Sequence, residues 1–108
     1  MILRVFRGKV LAGREQELYR LVRTIGLPAV RRQPGLIAAH YGRRLDPTGD
    51  EIVLTTLWAD VTSLAAWAGP DSSAPVLFEG EAELLAHHGV ELFEVMDVTD
   101  AEAAASRA

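Results

Sequence analysis

The stretch from Pro34 to Trp67, PGLIAAHYGRRLDPTGDEIVLTTLWADVTSLAAW, leaves few folds open to the chain that contains it. Its first part, Leu36 to Arg44, alternates in side-chain size and polarity, and Glu51 to Trp58 is rich in Ile, Val, Thr and Trp. Both compositions favour strands. Between them, Leu45-Asp46-Pro47-Thr48-Gly49-Asp50 supplies residues that set turn dihedrals and stop either strand from continuing. Asp60 then follows Trp58 and Ala59, where it can accept the free N–H groups of a helix running through Val61, Leu64, Ala65 and Ala68. Strand, turn, strand, cap and helix in direct succession demand a sheet with a helix packed on it.

The flanks extend that unit. Ile2 to Leu11 is predicted as a first strand, with Ile2, Arg4 and Phe6 on one side and Leu3, Val5 and Arg7 on the other. From Arg14 the apolar residues Leu18, Leu21, Val22, Ile25 and Ala29 follow the spacing of one helical face, so a helix is expected to near Gln33. Pro28 removes a backbone donor inside it and predicts a kink or restart at Gly26-Leu27-Pro28. After the second helix, Gly69 to Pro75 is a surface loop able to act as a lid. Val76 to His88 is expected to form one or two short helical pieces ending at Gly89, and Val90 to Val98 a fourth strand. The order β-α-β-β-α-β is that of an α+β, ferredoxin-like fold with both helices on one face of a four-stranded antiparallel sheet. Residues 1–98 form the single domain and 99–108 an Ala-rich, frayed tail. Strand three carries Ile52 and Leu54 on one side with Val53 and Leu57 on the other, and strand four places Leu92 and Met96 opposite Phe93 and Val95. Two helices cover one sheet face, so a second identical chain is the economical cover for the other.

Composition narrows the chemistry. With no cysteine there is no disulfide, thiolate metal site or thiol nucleophile. No apolar run approaches the roughly 20 residues that span a bilayer, and charge interrupts the first residues too soon for a signal peptide, so a cytoplasmic protein without membrane contact is expected. Residues 1–44 hold ten Arg or Lys against Glu15 and Glu17, and residues 45–108 hold thirteen acids against Arg107, giving halves of +8 and −12. These halves are expected to neutralise each other in the fold or across a dimer rather than to bind nucleic acid. The strand Leu54-Thr55-Thr56-Leu57-Trp58 also lacks the aromatic run with which an RNA-binding sheet of this topology stacks bases. The neighbours His87 and His88 diverge on a helix and make no metal pair, and no dinucleotide fingerprint, phosphate loop or nucleophile elbow occurs. No metal and no flavin is expected.

The opening LRVFRGKVLAGREQEL, the core QPGLIAAHYGRRLDPTGDEIVLTTLWADVTSLAAWAG and the closing VELFEVMDV together resemble the antibiotic biosynthesis monooxygenase family of dimeric α/β barrels, over almost the whole chain. The resemblance implies a homodimer with two facing sheets and a pocket in each subunit between helices and sheet. It also implies one of two chemistries, cofactor-independent oxygenation of aromatic polyketides or, in one branch, haem degradation. Trp67 matches the position of the family's pocket tryptophan, but the accompanying asparagine has no counterpart, because the chain contains no Asn. The histidine that ligates haem iron shortly after that tryptophan is missing from residues 69–86, so the resemblance implies no haem, and no cofactor of any kind is expected.

The function expected is therefore a cofactor-independent monooxygenase acting on a small phenolic or polyketide-like aromatic. The alternative is a non-catalytic dimeric α/β barrel that binds a small hydrophobic ligand. His40 and Trp67 are the catalytic candidates: His40 as a base able to take a phenolic proton near neutral pH, Trp67 as a flat wall with one N–H donor. His40 and Tyr41 point to opposite sheet faces, so only one of them can reach a given pocket, and a histidine at the dimer seam is the plainer role for His40. Arg4, Phe6, Trp58 and Phe78 are the substrate-binding candidates, with Arg4 able either to orient an anionic substrate or to pair with an acid of strand four.

Overall fold

In the computed structural model, which describes residues 1–99, the strands β1 (Ile2–Val10), β2 (Leu36–Arg43), β3 (Glu51–Trp58) and β4 (Leu85–Glu94) form one antiparallel sheet. Their order is β2-β3-β1-β4. The helices are α1 (Glu15–Leu21), α2 (Leu27–Arg31) and α3 (Val61–Ala68). This is the ferredoxin-like α+β architecture. The predicted tail lies outside the described residues beyond Thr99. Among the described residues no helix is long and apolar enough to cross a membrane.

Local chemistry accounts for most boundaries. The Asp60 carboxylate accepts the Ser63 N–H at 2.7 Å and starts α3. In the β2–β3 turn, Asp46 Oδ1 accepts the N–H groups of Thr48 and Gly49 at 3.0 and 2.9 Å. The kink predicted at Pro28 is a π turn over Val22–Gly26 that separates α1 from α2, with the Leu27 N–H reaching back to the Val22 carbonyl. Widening the helix by one residue just before a proline accommodates the missing donor.

The segment before β4 departs from expectation. Only Ala82–Leu84 is helical, as one 3₁₀ turn, and the last strand runs from Leu85 to Glu94 instead of Val90 to Val98. Helix-forming residues there lose to the ladder with β1, which extends to Val10 opposite Leu85 and buries both side chains. A bulge between Lys9 and Val10 admits the extra residue Ala86.

A second bulge sets the face of every residue in β2. Leu36 is opposite Trp58 and Ala38 opposite Leu57, so Ile37 is the extra residue. An extra residue reverses the alternation beyond it. Leu36, Ala39, Tyr41 and Arg43 consequently share the helix-covered face with Trp58, Thr56, Leu54 and Ile52, while Ala38, His40 and Gly42 share the other with Leu57, Thr55 and Val53.

The helix-covered face holds two core clusters. One joins Val30, Trp58 and Leu64, and the other joins Phe6, Val10, Leu18, Val22, Ile52, Leu84 and Leu85. The helix-free face presents Leu3, Val53, Leu57 and Phe93 around the buried Val5. Ion pairs Arg7–Glu91, Lys9–Asp50 and Arg44–Glu51, at 3.1, 3.7 and 2.8 Å, join the basic first part of the chain to the acidic second part. The charge asymmetry is thus partly neutralised within the fold.

Candidate functional site

Arg4, Trp58 and Trp67 come together. Arg4 lies on β1 between Thr56 of β3 and Leu92 of β4 and is 1% exposed. Its guanidinium carbon sits 5.1 Å from the centre of the Trp67 ring, within cation–π distance. Trp67, on the last turn of α3, stacks on Trp58 with ring centres 5.2 Å apart and planes at 24°. Trp58 is 0% exposed, and its indole N–H donates to Thr56 Oγ1 at 2.8 Å. The loop after α3 closes over the arginine: Nε donates to the Ser72 carbonyl at 3.3 Å and Nη2 to the Ala74 carbonyl at 2.7 Å.

The pairing of Arg4 with a strand-four acid does not occur, because the register puts Leu92 beside it. Among the described residues Arg4 makes no ion pair. Burial pushes its pKa below the ordinary arginine value, the mark of a cation held out of water without an opposing charge.

The remaining predicted residues lie elsewhere. Phe6 is on the same sheet face but belongs to the other core cluster, stacked on His88 with ring centres 5.8 Å apart. Phe78 packs against the π turn, where a Cβ on Gly26 would lie 3.0 Å from its ring. His40 stands exposed opposite Thr55 on the helix-free face, on the far side of the sheet from Trp67. The bulge at Ile37 is the cause, and it brings Tyr41, not His40, to the helix-covered side.

Two groups escaped the sequence reading. Glu81 is 5% exposed, accepts the Phe78 N–H at 3.2 Å, and burial pushes its carboxyl above the ordinary range, against the weaker opposing influences of that hydrogen bond and His88. Glu79 and Glu83 look the same in sequence, and only the reversal at Gly80, with φ of 88°, turns Glu81 inward. The other group lines a cavity of about 300 Å³ between α1 and the start of β3, bounded by Gln16, Tyr19, Tyr41, Arg43 and Ile52 among others. The cavity includes none of the predicted site residues. Inward-facing Tyr41 and Arg43 two residues apart on β2 would have signalled it, had the bulge been recognised.

Residues 1–73 match the sequence profile of the antibiotic biosynthesis monooxygenase family. The chain belongs to that family. No curated protein matches it in sequence. Several solved structures share its fold. A proposed antibiotic biosynthesis monooxygenase from Deinococcus radiodurans superposes with a TM-score of 0.73 at 13% identity, over 93% of this chain and 97% of that one. Rv0793 from Mycobacterium tuberculosis superposes at 0.72 and 17% identity, over 92% and 98%. A mutant of MhuD with two manganese protoporphyrin IX molecules bound per active site superposes at 0.67 and 18% identity, over 93% and 100%. The fold is shared with these proteins. Haem does not fit the groups around Trp67, since residues 69–86, which follow Trp67, contain no histidine to ligate the haem iron and the cation beside Trp67, Arg4, is no metal ligand.

Proposed function

We propose that this family member is a cofactor-independent monooxygenase of a small, electron-rich aromatic, phenolic or polyketide-like, and that Arg4 stabilises the substrate anion. The observation that supports this is the buried guanidinium, stacked on Trp67 and lacking a carboxylate. When the loop of residues 69–75 lifts, a flat substrate lies against Trp67 and its oxygen takes over the Arg4 N–H groups from the Ser72 and Ala74 carbonyls. A cation in a poorly hydrated place favours phenolate over phenol, so the proton leaves to solvent and the remote His40 is not needed. The aromatic anion reduces dioxygen and bonds to it through carbon as a hydroperoxide, which loses water to leave a carbonyl. A methylene and dioxygen become a carbonyl and water, with both electron pairs drawn from the substrate. Such chemistry asks the protein only for burial, orientation and charge stabilisation.

Oxygen consumption by the purified protein with anthrone-like and hydroquinone-like compounds, without added cofactor, tests this. Uptake is expected, and Arg4→Gln is expected to lower kcat by on the order of 10²-fold, as loss of an oxyanion donor does. Uptake that Arg4→Gln leaves unchanged would dismiss Arg4, and no uptake over the panel would dismiss the oxygenase. The second reading, a non-catalytic barrel that binds a small hydrophobic ligand, is favoured by the two carbonyls that already satisfy Arg4. Saturable quenching of tryptophan fluorescence without oxygen uptake decides for it.

Both readings take the protein as a homodimer closed through the helix-free faces, where Leu3, Val53, Leu57 and Phe93 form an apolar surface. Phe93, 47% exposed in the single chain, is the residue to test, since Leu92 lies on the helix-covered side. Sedimentation of Phe93→Asp should show folded monomer, because a carboxylate in that seam would be buried unpaired.

A further inference from the structure

We propose that the cavity between α1 and the β2–β3 edge is a second ligand site, separate from the Arg4–Trp67 stack, and that it takes a one-ring hydroxylated aromatic carboxylate. The cavity is set well apart: Ile52, in its wall, is four residues along β3 from Thr56 beside Arg4, a span of roughly 13 Å at strand spacing. At about 300 Å³ it stands at the small end of ligand pockets, room for one ring rather than a polycycle. Its aromatic wall is the Tyr19–Tyr41 pair, with ring centres 6.2 Å apart and planes at 31°.

The strand side and the helix side of this cavity differ in charge. On the strand side Arg43 projects beside Tyr41 and makes no ion pair among the described residues, whereas its neighbour Arg44 is engaged by Glu51 and Asp46. A free guanidinium at the wall of a pocket matches a carboxylate with two parallel hydrogen bonds. On the helix side stand Glu15 and Gln16, acceptors suited to a ring hydroxyl at the opposite end of the ligand. Tyr41 adds a donor and no charge: burial, then the charge of Glu81 and the neighbouring Tyr19, push its phenol up to about 12. Gly42 and Gly49 also line it and add no side chains to the space.

Calorimetric titration of the full chain with 4-hydroxybenzoate tests the site, with 4-hydroxybenzamide as the neutral counterpart. Saturable binding of the carboxylate is expected, at least about tenfold tighter than the amide, the margin of a charge-assisted hydrogen bond. Arg43→Gln should erase that preference and Tyr19→Ala should weaken both compounds, and both side chains are exposed enough for the variants to keep the fold. No saturable binding, or a preference that survives Arg43→Gln, overturns the site. Binding abolished by Trp67→Phe but untouched by Tyr19→Ala overturns it also, by placing the ligand at the other end of the sheet. Binding is read without turnover, so failure of the oxygenase proposal leaves the result intact.

Discussion

The two ends of the helix-covered sheet face are built from similar residue types and packed to opposite effect. At the end of β3 that carries Trp58, the small Ala39 on β2 makes room for the indole, and Val30, Leu64 and Trp67 close around it. At the start of β3, the inward positions of β2 hold Tyr41 and Arg43 and the facing helix offers Gln16 and Tyr19, so polar, exposed groups stand where aliphatic ones would fill the space. One end is dry and holds a cation without a counter-charge; the other is open and lined with hydrogen-bonding groups. Both ends carry an aromatic pair and an arginine; what differs is whether aliphatic or polar side chains fill the space beside them.

The largest difference expected is in stability. Trp58→Ala removes a fully enclosed indole and should lower the unfolding free energy by about 3–5 kcal/mol, as large-to-small changes in filled cores do. Tyr19→Ala, at a residue 50% exposed beside a cavity, should cost less than about 1 kcal/mol. Urea denaturation of both variants checks the contrast, and equal losses would mean that the open end is as tightly packed as the dry one.

A smaller contrast comes from two glycines. Gly35 has φ of 84°, and a Cβ there would overlap the Ser63 side chain on the first turn of α3, which ties the helix of Trp67 against the strand end. Gly35→Ala combines backbone strain with that clash and should cost about 1–3 kcal/mol. Gly42 has ordinary dihedrals and space, its nearest contact being Val53 at 3.8 Å, so Gly42→Ala should stay within about 0.5 kcal/mol. Matching losses would show that the close approach of Gly35 to α3 is not what holds the Trp67 end together.

Much of this arrangement was legible in the residues, and the exceptions share a cause. The hairpin, the Asp60 cap and the Pro28 kink follow from local propensity, and the shared face of Arg4 and Phe6 from alternation along an uninterrupted strand. His40 was misplaced as a pocket base and Tyr41 passed over because a single extra residue, Ile37, reverses the faces of β2, and nothing in its neighbourhood announces a bulge. The start of β4 was hidden for a related reason: Leu84 and Leu85 are good helix formers, and only the pairing of Leu85 with Val10 across the sheet makes them a turn and a strand. Glu81 is the clearest case of information that tertiary structure alone supplies, since three glutamates alternate there and a glycine with positive φ selects the buried one.

Glu81 also allows the two ends to be separated by pH. Each end holds a buried ionisable group, a guanidinium that stays protonated and a carboxyl that burial pushes above its ordinary range. Burial raises the Glu81 carboxyl above its ordinary 4.5 in the folded chain, so the native state binds this proton more tightly than the unfolded state does. The contribution of Glu81 to stability is therefore fully present below about pH 4.5 and is lost as pH rises through the folded value. Glu81→Gln keeps an acceptor for the Phe78 N–H but has no proton to lose, so its urea midpoint should draw above that of the unsubstituted protein as pH rises from 4.5 toward neutrality. His88 opposes the rise of the Glu81 carboxyl and has no such hold on Gln, so it reduces the difference without reversing its sign, because burial is the larger influence. The effect should be smaller than that of Gly35→Ala. Midpoints that run parallel across this range would mean that Glu81 is as well hydrated as a surface carboxylate, and that the open end carries no buried charge to set against Arg4.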